Sequence, residues 1–275
     1  MSHKCQSILY ASNGRLLSDV ASVSADLDDA HVIPEHSHPE DQLLFASRGV
    51  MTLRTKEGLW VLPPLRALWI PANMPHTVEM TGAVSMRTLY LLPKLGRKLP
   101  KKCFVMNVSP LLRELILHAC GFKRLRKKEA AERRVMEILV DQLEAVDSIP
   151  LQLPQPIDAR AMRVAKTLLS DPSDARELEK LCKECGASKR TIQRVFLEET
   201  KMNFGKWRQQ LRLLHGMKLL AAGEKVTAAA LEAGYSSPSA FISMFRKQLG
   251  TTPMRYLADG TGNGCSALKA VASSS

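Results

Sequence analysis

The feature that most constrains this chain is a repeat. The stretches "LCKECGASKRTIQRVFLEETKMNF" and "LEAGYSSPSAFISMFRKQLGTTP" match each other at a spacing near 49 residues. Gly186 answers to Gly234, Ser188 to Ser237, Ile192 to Phe241, Phe196 to Phe245 and Phe204 to Pro253. The offset is 48 at the glycines and 49 afterwards, so one turn carries an extra residue. A short unit used twice means that both copies fold on the same local rules. Those rules read as helix, turn, helix. Glycine permits the positive φ of a tight turn. Ser188 and Ser237 stand where an N-cap belongs, and Pro238 follows at the first helical position. Ile192, Val195 and Phe196 share one face of the second helix of unit one, as Phe241, Met244, Phe245 and Leu249 do in unit two. Between the units, "GKWRQQLRLLHGMKLLAAG" predicts a longer amphipathic helix. Trp207, Leu211, Leu214 and Leu220 lie on its apolar face and Gly223 ends it. Such a helix would hold the two units apart at a fixed spacing.

The outward faces of the two second helices differ. Lys189, Arg190, Gln193 and Arg194 face away from the core of unit one. Pro238, Ser239, Ala240, Ile242, Ser243 and Arg246 do so in unit two, a set poorer in side chains that read bases. Charge is concentrated in this half of the chain. Residues 160–258 hold 18 Lys and Arg against 9 Asp and Glu. Residues 1–95 hold 8 against 9, in a chain of net charge +12. A near-neutral front and a basic back imply two jobs, with a polyanion as the partner of the back half. A solvated helix face is the bland alternative for each charge taken alone.

The front half has another pattern. Short strands such as "QLLFAS", "GVMTLRT", "GLWVLPP", "ALWIP" and "SMRTLYLL" run from about residue 8 to 95. Gly49, Gly58, Pro63-Pro64, Pro71 and Gly82 divide them. Close spacing of this kind predicts an antiparallel barrel or jelly roll. Within it, "HVIPEHSHPEDQLLFASRG" places His36 two residues before His38 and Gln42 four after it, while "PANMPH" supplies His76. Residues i and i+2 of an extended strand point to one side, so His36 and His38 can converge. Three readings stay open: a metal shell, a pocket for a small molecule, or side chains that merely line the interior. His31 reads as a surface residue near a strand start, and His3, His118 and His215 are isolated.

Ser109-Pro110 starts a helix with Leu112, Leu115, Ile116 and Ala119 on one face. After Gly121 and the basic run "KRLRKK" a second helix is expected, with Ile138, Leu139, Gln142 and Leu143 at helical spacing. The pair could form a dimerisation hairpin or pack on the barrel. "SIPLQLPQP", 148–156, reads as an extended linker. The six scattered cysteines suit a reducing compartment, and Cys182-x-x-Cys185 without a second such pair reads as core packing. No apolar run is long enough for a membrane span, and the first residues show no secretion signal. The Gly/Ser-rich tail reads as disordered.

The back half resembles a known family. The glycine turn, "SKRTIQRVF", the following "WR" and "GYSSPSAFISMFRKQLGTTPMRY" are similar to the DNA-binding domain of AraC/XylS-type transcription regulators, across residues 160–258. A subgroup that controls nearby drug-efflux genes, nitroimidazole resistance among them, resembles it more closely still. In the front half, the histidine spacing resembles the two cupin motifs, with Gln42 where Glu is usual and Asn73 where Gly is usual. An amide is a weaker ligand than a carboxylate for a hard cation. The resemblance implies an α+β chain of two domains. Residues 1–95 would be a cupin-like sensor, an antiparallel β-barrel. Residues 96–158 would be a helical linker and dimerisation segment. Residues 159–258 would be an all-α domain with helix-turn-helix units at about 177–199 and 226–249, and 259–275 the tail. It further implies contact with double-stranded promoter DNA by Ser188, Lys189, Arg190, Gln193 and Arg194 of unit one. Ser237, Ser239, Ala240, Ser243 and Arg246 would do so in unit two. Arg pairs with guanine and Gln with adenine in a major groove. His36, His38, Gln42 and His76 would hold a small-molecule effector or a divalent metal, with no cofactor certain. RNA polymerase is a partner if the protein activates, and the setting is cytoplasmic. The rivals are a metal-dependent cupin enzyme with a basic appendage and an architectural nucleic-acid protein.

Overall fold

Gly49 and Gly82, both at positive φ, lie where the pairing of the two longest strands shifts register. In the computed structural model, which describes residues 18–122, 124–146, 148–149 and 151–260 (257–260 by backbone alone), ten strands form one antiparallel sheet. Five of the strands are β1 (Val20–Leu27), β2 (Val32–His36), β3 (Asp41–Thr55), β4 (Gly58–Leu62) and β5 (Arg66–Ile70). β6 (His76–Leu91), β7 (Phe104–Asn107), β8 (Arg124–Leu125), β9 (Ser148–Ile149) and β10 (Gln152–Pro154) follow. β3 and β6 pair along nearly their whole length, from Asp41↔Leu91 to Arg54↔Thr77, with register shifts around Arg48. Gly49 lies at the shift with φ +75°, and a Cβ there would meet the Ala83 carbonyl at 2.6 Å. The expected break at Gly49 is therefore a bulge inside one strand, which bends it and lets it serve two edges. β1 pairs the second half of β6 and β2 its first half. β5, β7 and β9 extend from the first half of β3, and β4 pairs with β3 as well.

The expected barrel does not close. The strand path runs β8-β1-β6-β3-β5-β7-β9 with two free ends, so the sheet is open. Its end strands are two residues long, too short to complete a ring of pairing. Helices cover one face instead. α1 (Pro110–Gly121) begins where Ser109 caps the Leu112 N–H, and α2 (Ala130–Glu144) follows. Leu112, Ile116, Ala119, Met136, Leu139 and Leu143 join Val20, Phe45, Trp69 and Leu89 in one core. Both helices pack on the sheet. Ile138, expected on the apolar face of α2, is 44% exposed, because Met136, Leu139 and Leu143 carry the contact. Within 148–156, Ser148–Ile149 and Gln152–Pro154 are strands, and β9 pairs with β7.

The chain divides into two units at Gln152/Leu153, with 56–59 counted in the second. The second unit contains α3 (Ala159–Ser170), α4 (Leu178–Cys185), α5 (Lys189–Thr200), α6 (Phe204–Ala221), α7 (Val226–Glu232), α8 (Pro238–Leu249) and α9 (Pro253–Gly260). Each turn follows the rule read from the repeat. Gly186 (φ +67°) ends α4 and Gly234 (φ +81°) follows α7. Ser188 accepts from the Thr191 N–H at 3.1 Å, and Ser237 from the Ala240 N–H at 3.2 Å. Phe196 packs edge-on to Phe204 and Trp207, and Phe245 packs edge-on to Phe241 and Tyr256. Gly216 lies against Phe241, where a Cβ would come within 2.7 Å of the ring. The long helix α6 also clamps the loop before α4. Arg208 donates to the Arg176 and Asp174 carbonyls, and Arg212 to those of Asp174 and Pro172. Cys182 and Cys185 are buried, and burial pushes the Cys182 thiol up. The first expected strand residues, His3 and most of the tail lie outside the described residues.

Candidate functional site

Two sites can be built from named residues, one in each unit. In the second unit, α5 buries Ile192, Val195 and Phe196. The 100° step of a helix then turns Lys189, Arg190, Gln193 and Arg194 outward, and all four are exposed. Two of these cations already have acidic partners. Lys189 Nζ pairs with Glu179, whose carboxylate it holds below the usual range. Arg194 donates to Glu198 at 2.8 Å, four residues on. A broad open groove of about 950 Å³ runs beside this face, lined by Glu179, Lys189, Gln193, Leu197 and Phe204 among others. On α8, Ser239, Ala240, Ser243 and Arg246 are exposed and Pro238 and Ile242 half-buried. Met244, expected on the buried face, is half-buried. Both helix faces are therefore presented as the repeat predicts, one rich in long donors and one poor. Lys247, beside Arg246 in the last turn, is a second exposed cation that periodicity alone did not single out.

In the first unit the three histidines meet. His36 and His76 are register partners across β2 and β6, with ring centroids 4.3 Å apart. His38 sits 5.4 Å from His76 and 6.0 Å from His36. Each Nδ1 lies against a main-chain carbonyl two residues away: His36 on Pro34, His38 on Glu40 and His76 on Met74, at 2.8–2.9 Å. A carbonyl only accepts, so each Nδ1 carries the proton and each Nε2 is left for another partner. Burial lowers the His76 pKa to about 4, with the neighbouring histidines adding to it, and burial also lowers that of His36. Both rings are thus neutral at pH 7. Among the described residues, buried His76 Nε2 has no hydrogen-bond partner. Gln42 joins the group: its Oε1 lies 3.0 Å from His38 Nε2, and its amide N–H donates to Thr88 at 2.9 Å. Asn73 takes the left-handed conformation, φ +62°, and its N–H donates to the His38 carbonyl at 2.7 Å. Asn tolerates that conformation better than most side chains. The departure from glycine thus keeps the turn that brings His76 round to His38.

Of these side chains, His36 and Gln42 line a cavity of about 470 Å³, whose walls also include Val23, Leu44, Val78, Met86 and Tyr90. Strand alternation explains the sorting. On β3, Gln42 and Leu44 face the cavity while Leu43 and Phe45 enter the helix-packed core. Thr88 and Tyr90 are site residues that sequence reasoning missed. Their only signal was period-2 placement with Met86, which any strand shares.

Comparison with known proteins adds independent evidence. The profile described as AraC-like ligand binding domain matches residues 19–179, and the helix-turn-helix domain profile matches 181–259. The HTH-type transcriptional regulator NimR of Escherichia coli (strain K12) is 32% identical over 225 residues, 82% of each chain. The thermoregulatory protein LcrF of Yersinia pestis is 27% identical over 225 residues, 78% of this chain and 79% of that one. A crystal structure of fatty-acid-bound ToxT from Vibrio cholerae covers 87% of this chain at 15% identity and TM-score 0.38. A ligand-binding sheet domain followed by two helix-turn-helix units defines a ligand-responsive, DNA-binding transcription regulator. The chain belongs to the AraC family of such regulators. Its relatives are regulators, and the enzyme reading of the front half falls away. Among the described residues no helix is long and apolar enough to cross a membrane.

Proposed function

We propose that α5 reads base sequence at a promoter, that α8 sets position and reads shape, and that a small molecule in the His36/Gln42/Tyr90 cavity governs the outcome. The observation that carries this reading is the exposed Lys189, Arg190, Gln193 and Arg194 face, set opposite a buried Ile192/Phe196 core. Arg190, Gln193 and Arg194 are the base-reading residues, and Lys189 meets phosphate. Ser188 and Ser237, at the helix N-termini, approach the backbone, where main-chain N–H groups favour phosphate. On α8, Ser239, Ser243 and Arg246 contact backbone and Ala240 meets a thymine methyl. The pairs Lys189–Glu179 and Arg194–Glu198 hold these cations until phosphate or base edges replace the carboxylates. The cavity suits an effector because it is mostly apolar with a few convergent polar groups. His36, His38, His76 and Gln42 hold the effector's polar end or a divalent cation. The regulated gene lies near the binding site and serves efflux or metabolism. The protein works in the cytoplasm, as a homodimer through the α1/α2 segment, and touches RNA polymerase where it activates.

Footprinting the purified protein on fragments of the host genome tests this. Discrete sites with two contacted elements about 10–10.5 base pairs apart are expected. Uniform protection of unrelated sequence would favour an architectural role instead.

A further inference from the structure

We propose that Glu199 and Trp207 are positioning residues for sequence reading: they strap residues 153–158, the stretch that leads into α3, onto α5 and α6, and the docked strap holds α5 at the angle at which its outward face reads bases. This rests on the reading of α5 as the base-reading helix. Three observations carry it, all within the second unit. The first is the Glu199 carboxylate. Its Oε2 accepts from two successive main-chain N–H groups, that of Ile157 at 2.6 Å and that of Asp158 at 3.1 Å. Hydrogen bonds to an ionised acceptor are about twice as strong as neutral ones. Helix spacing separates this residue from the base-reading face. Glu199 continues the line of Ile192 and Val195, which α5 buries, whereas Arg190, Gln193 and Arg194 fall on other sides. Its carboxylate therefore serves the strap rather than a duplex. Ile157 is 85% exposed, so apolar burial does not hold the strap at this point and the carboxylate does.

The second observation is the Trp207 indole. Its N–H donates to the Pro154 carbonyl at 2.7 Å, across 53 residues of sequence. The ring is fully buried and packs edge-on to Phe196 at 5.2 Å between centroids, and Phe196 is the core residue opposite the reading face. A phenyl ring could fill that space. The N–H adds a bond to the strap, and a buried indole N–H requires such a partner. The third observation is that the strap is enclosed. Leu153 is fully buried. Gly58 lies so close that a Cβ there would meet the Leu153 carbonyl at 2.6 Å and Pro154 Cα at 3.2 Å. Pro154 and Pro156 restrict the backbone between the two anchors. A stiff segment thus grips α5 directly at its last turn, and through Trp207 at its middle. Base contacts demand placement to a fraction of an ångström, while long cationic side chains follow a phosphate through a small shift. Releasing the strap therefore costs selectivity before it costs affinity for DNA in general.

The test uses full-length Glu199→Ala, Glu199→Gln and Trp207→Phe beside the native chain, each well below its thermal midpoint. Two quantities are read: hydrogen exchange of the Ile157 and Asp158 amides, and the ratio of affinities for a footprinted site and a scrambled duplex. In Glu199→Ala both amides should exchange about tenfold faster and the ratio should fall about tenfold, as loss of hydrogen bonds to a charged group predicts. Affinity for the scrambled duplex should stay within about twofold, since that binding comes from phosphate neutralisation. Glu199→Gln still offers a carbonyl oxygen to the two N–H groups and should restore part of both quantities. Trp207→Phe keeps the ring and removes only the donor, so the ratio should fall by a smaller factor. If that variant fails to fold, the exposed Glu199 position still decides. Amides that exchange at the native rate in Glu199→Ala overturn the strap. Freed amides with an unchanged ratio overturn the positioning role. A native protein that binds both duplexes alike sinks base reading by α5 and this proposal with it, whereas equal discrimination by native protein and Glu199→Ala overturns the positioning alone.

Discussion

α5 and α8 are two answers to one sequence rule. Both are 12 residues long, both are capped by a serine accepting from the third N–H, and both follow a glycine turn. Both bury two large apolar residues four positions apart, Ile192 with Phe196 and Phe241 with Phe245. Their exposed faces share little. One offers Lys, Arg, Gln and Arg, the other Ser, Ala, Ser and Arg. The buried positions decide that a helix forms and where it sits, while the outward positions decide what it touches. Duplication copied the first set of constraints and left the second free to diverge. Binding by this domain is therefore expected to be asymmetric: one unit reads sequence and the other holds the domain in place.

The comparison can be broken or sharpened by substitution. The largest effect belongs to the shared core. Phe196→Ala and Phe241→Ala should each cost about 3–5 kcal/mol, read as a drop in the thermal midpoint of the helical domain. A much smaller loss in either would mean that the two units are not packed alike. Next come the caps. Ser188→Ala and Ser237→Ala should each cost about 1 kcal/mol in the same assay, and a loss in one unit only would break the equivalence. The smallest effect separates the faces. Glu198→Gln frees Arg194 from its helical ion pair and should tighten DNA binding by no more than about twofold. α8 has no corresponding acidic brake on Arg246 among the described residues. Weaker binding in the Glu198 variant would show that this pair positions Arg194 for DNA.

Much of this was legible because it is local. Glycine turns, serine caps and the 3.6-residue spacing of Ile192 and Phe196 are written within a dozen residues. The convergence of His36 with His38 was legible for the same reason. The long-range parts were not. Gly49 punctuates the sequence as a strand end would, yet the cross-strand pairing of β3 with β6 runs through it as a bulge. Whether a sheet closes depends on its end strands, and those here, Arg124–Leu125 and Ser148–Ile149, are too short to announce themselves. Thr88 and Tyr90 reach the histidine pocket through strand register rather than through any spacing motif. Arg208 and Arg212 carry no local signal of their role: their guanidinium groups satisfy loop carbonyls some 32–40 residues away in sequence.

The central claim is that Arg194 of α5 reads a base while Arg246 of α8 meets phosphate. The direct measurement is a salt titration of Arg194→Ala and Arg246→Ala binding to a footprinted site and to a scrambled duplex. Arg194→Ala should lose about 1–3 kcal/mol on the footprinted site and much less on the scrambled one, as removal of a bidentate base contact predicts. Arg246→Ala should weaken both duplexes alike and lower the salt slope by about one, as loss of a phosphate contact predicts. Equal losses on both duplexes for Arg194→Ala, or a sequence-selective loss for Arg246→Ala, would contradict the division of labour between the two helices.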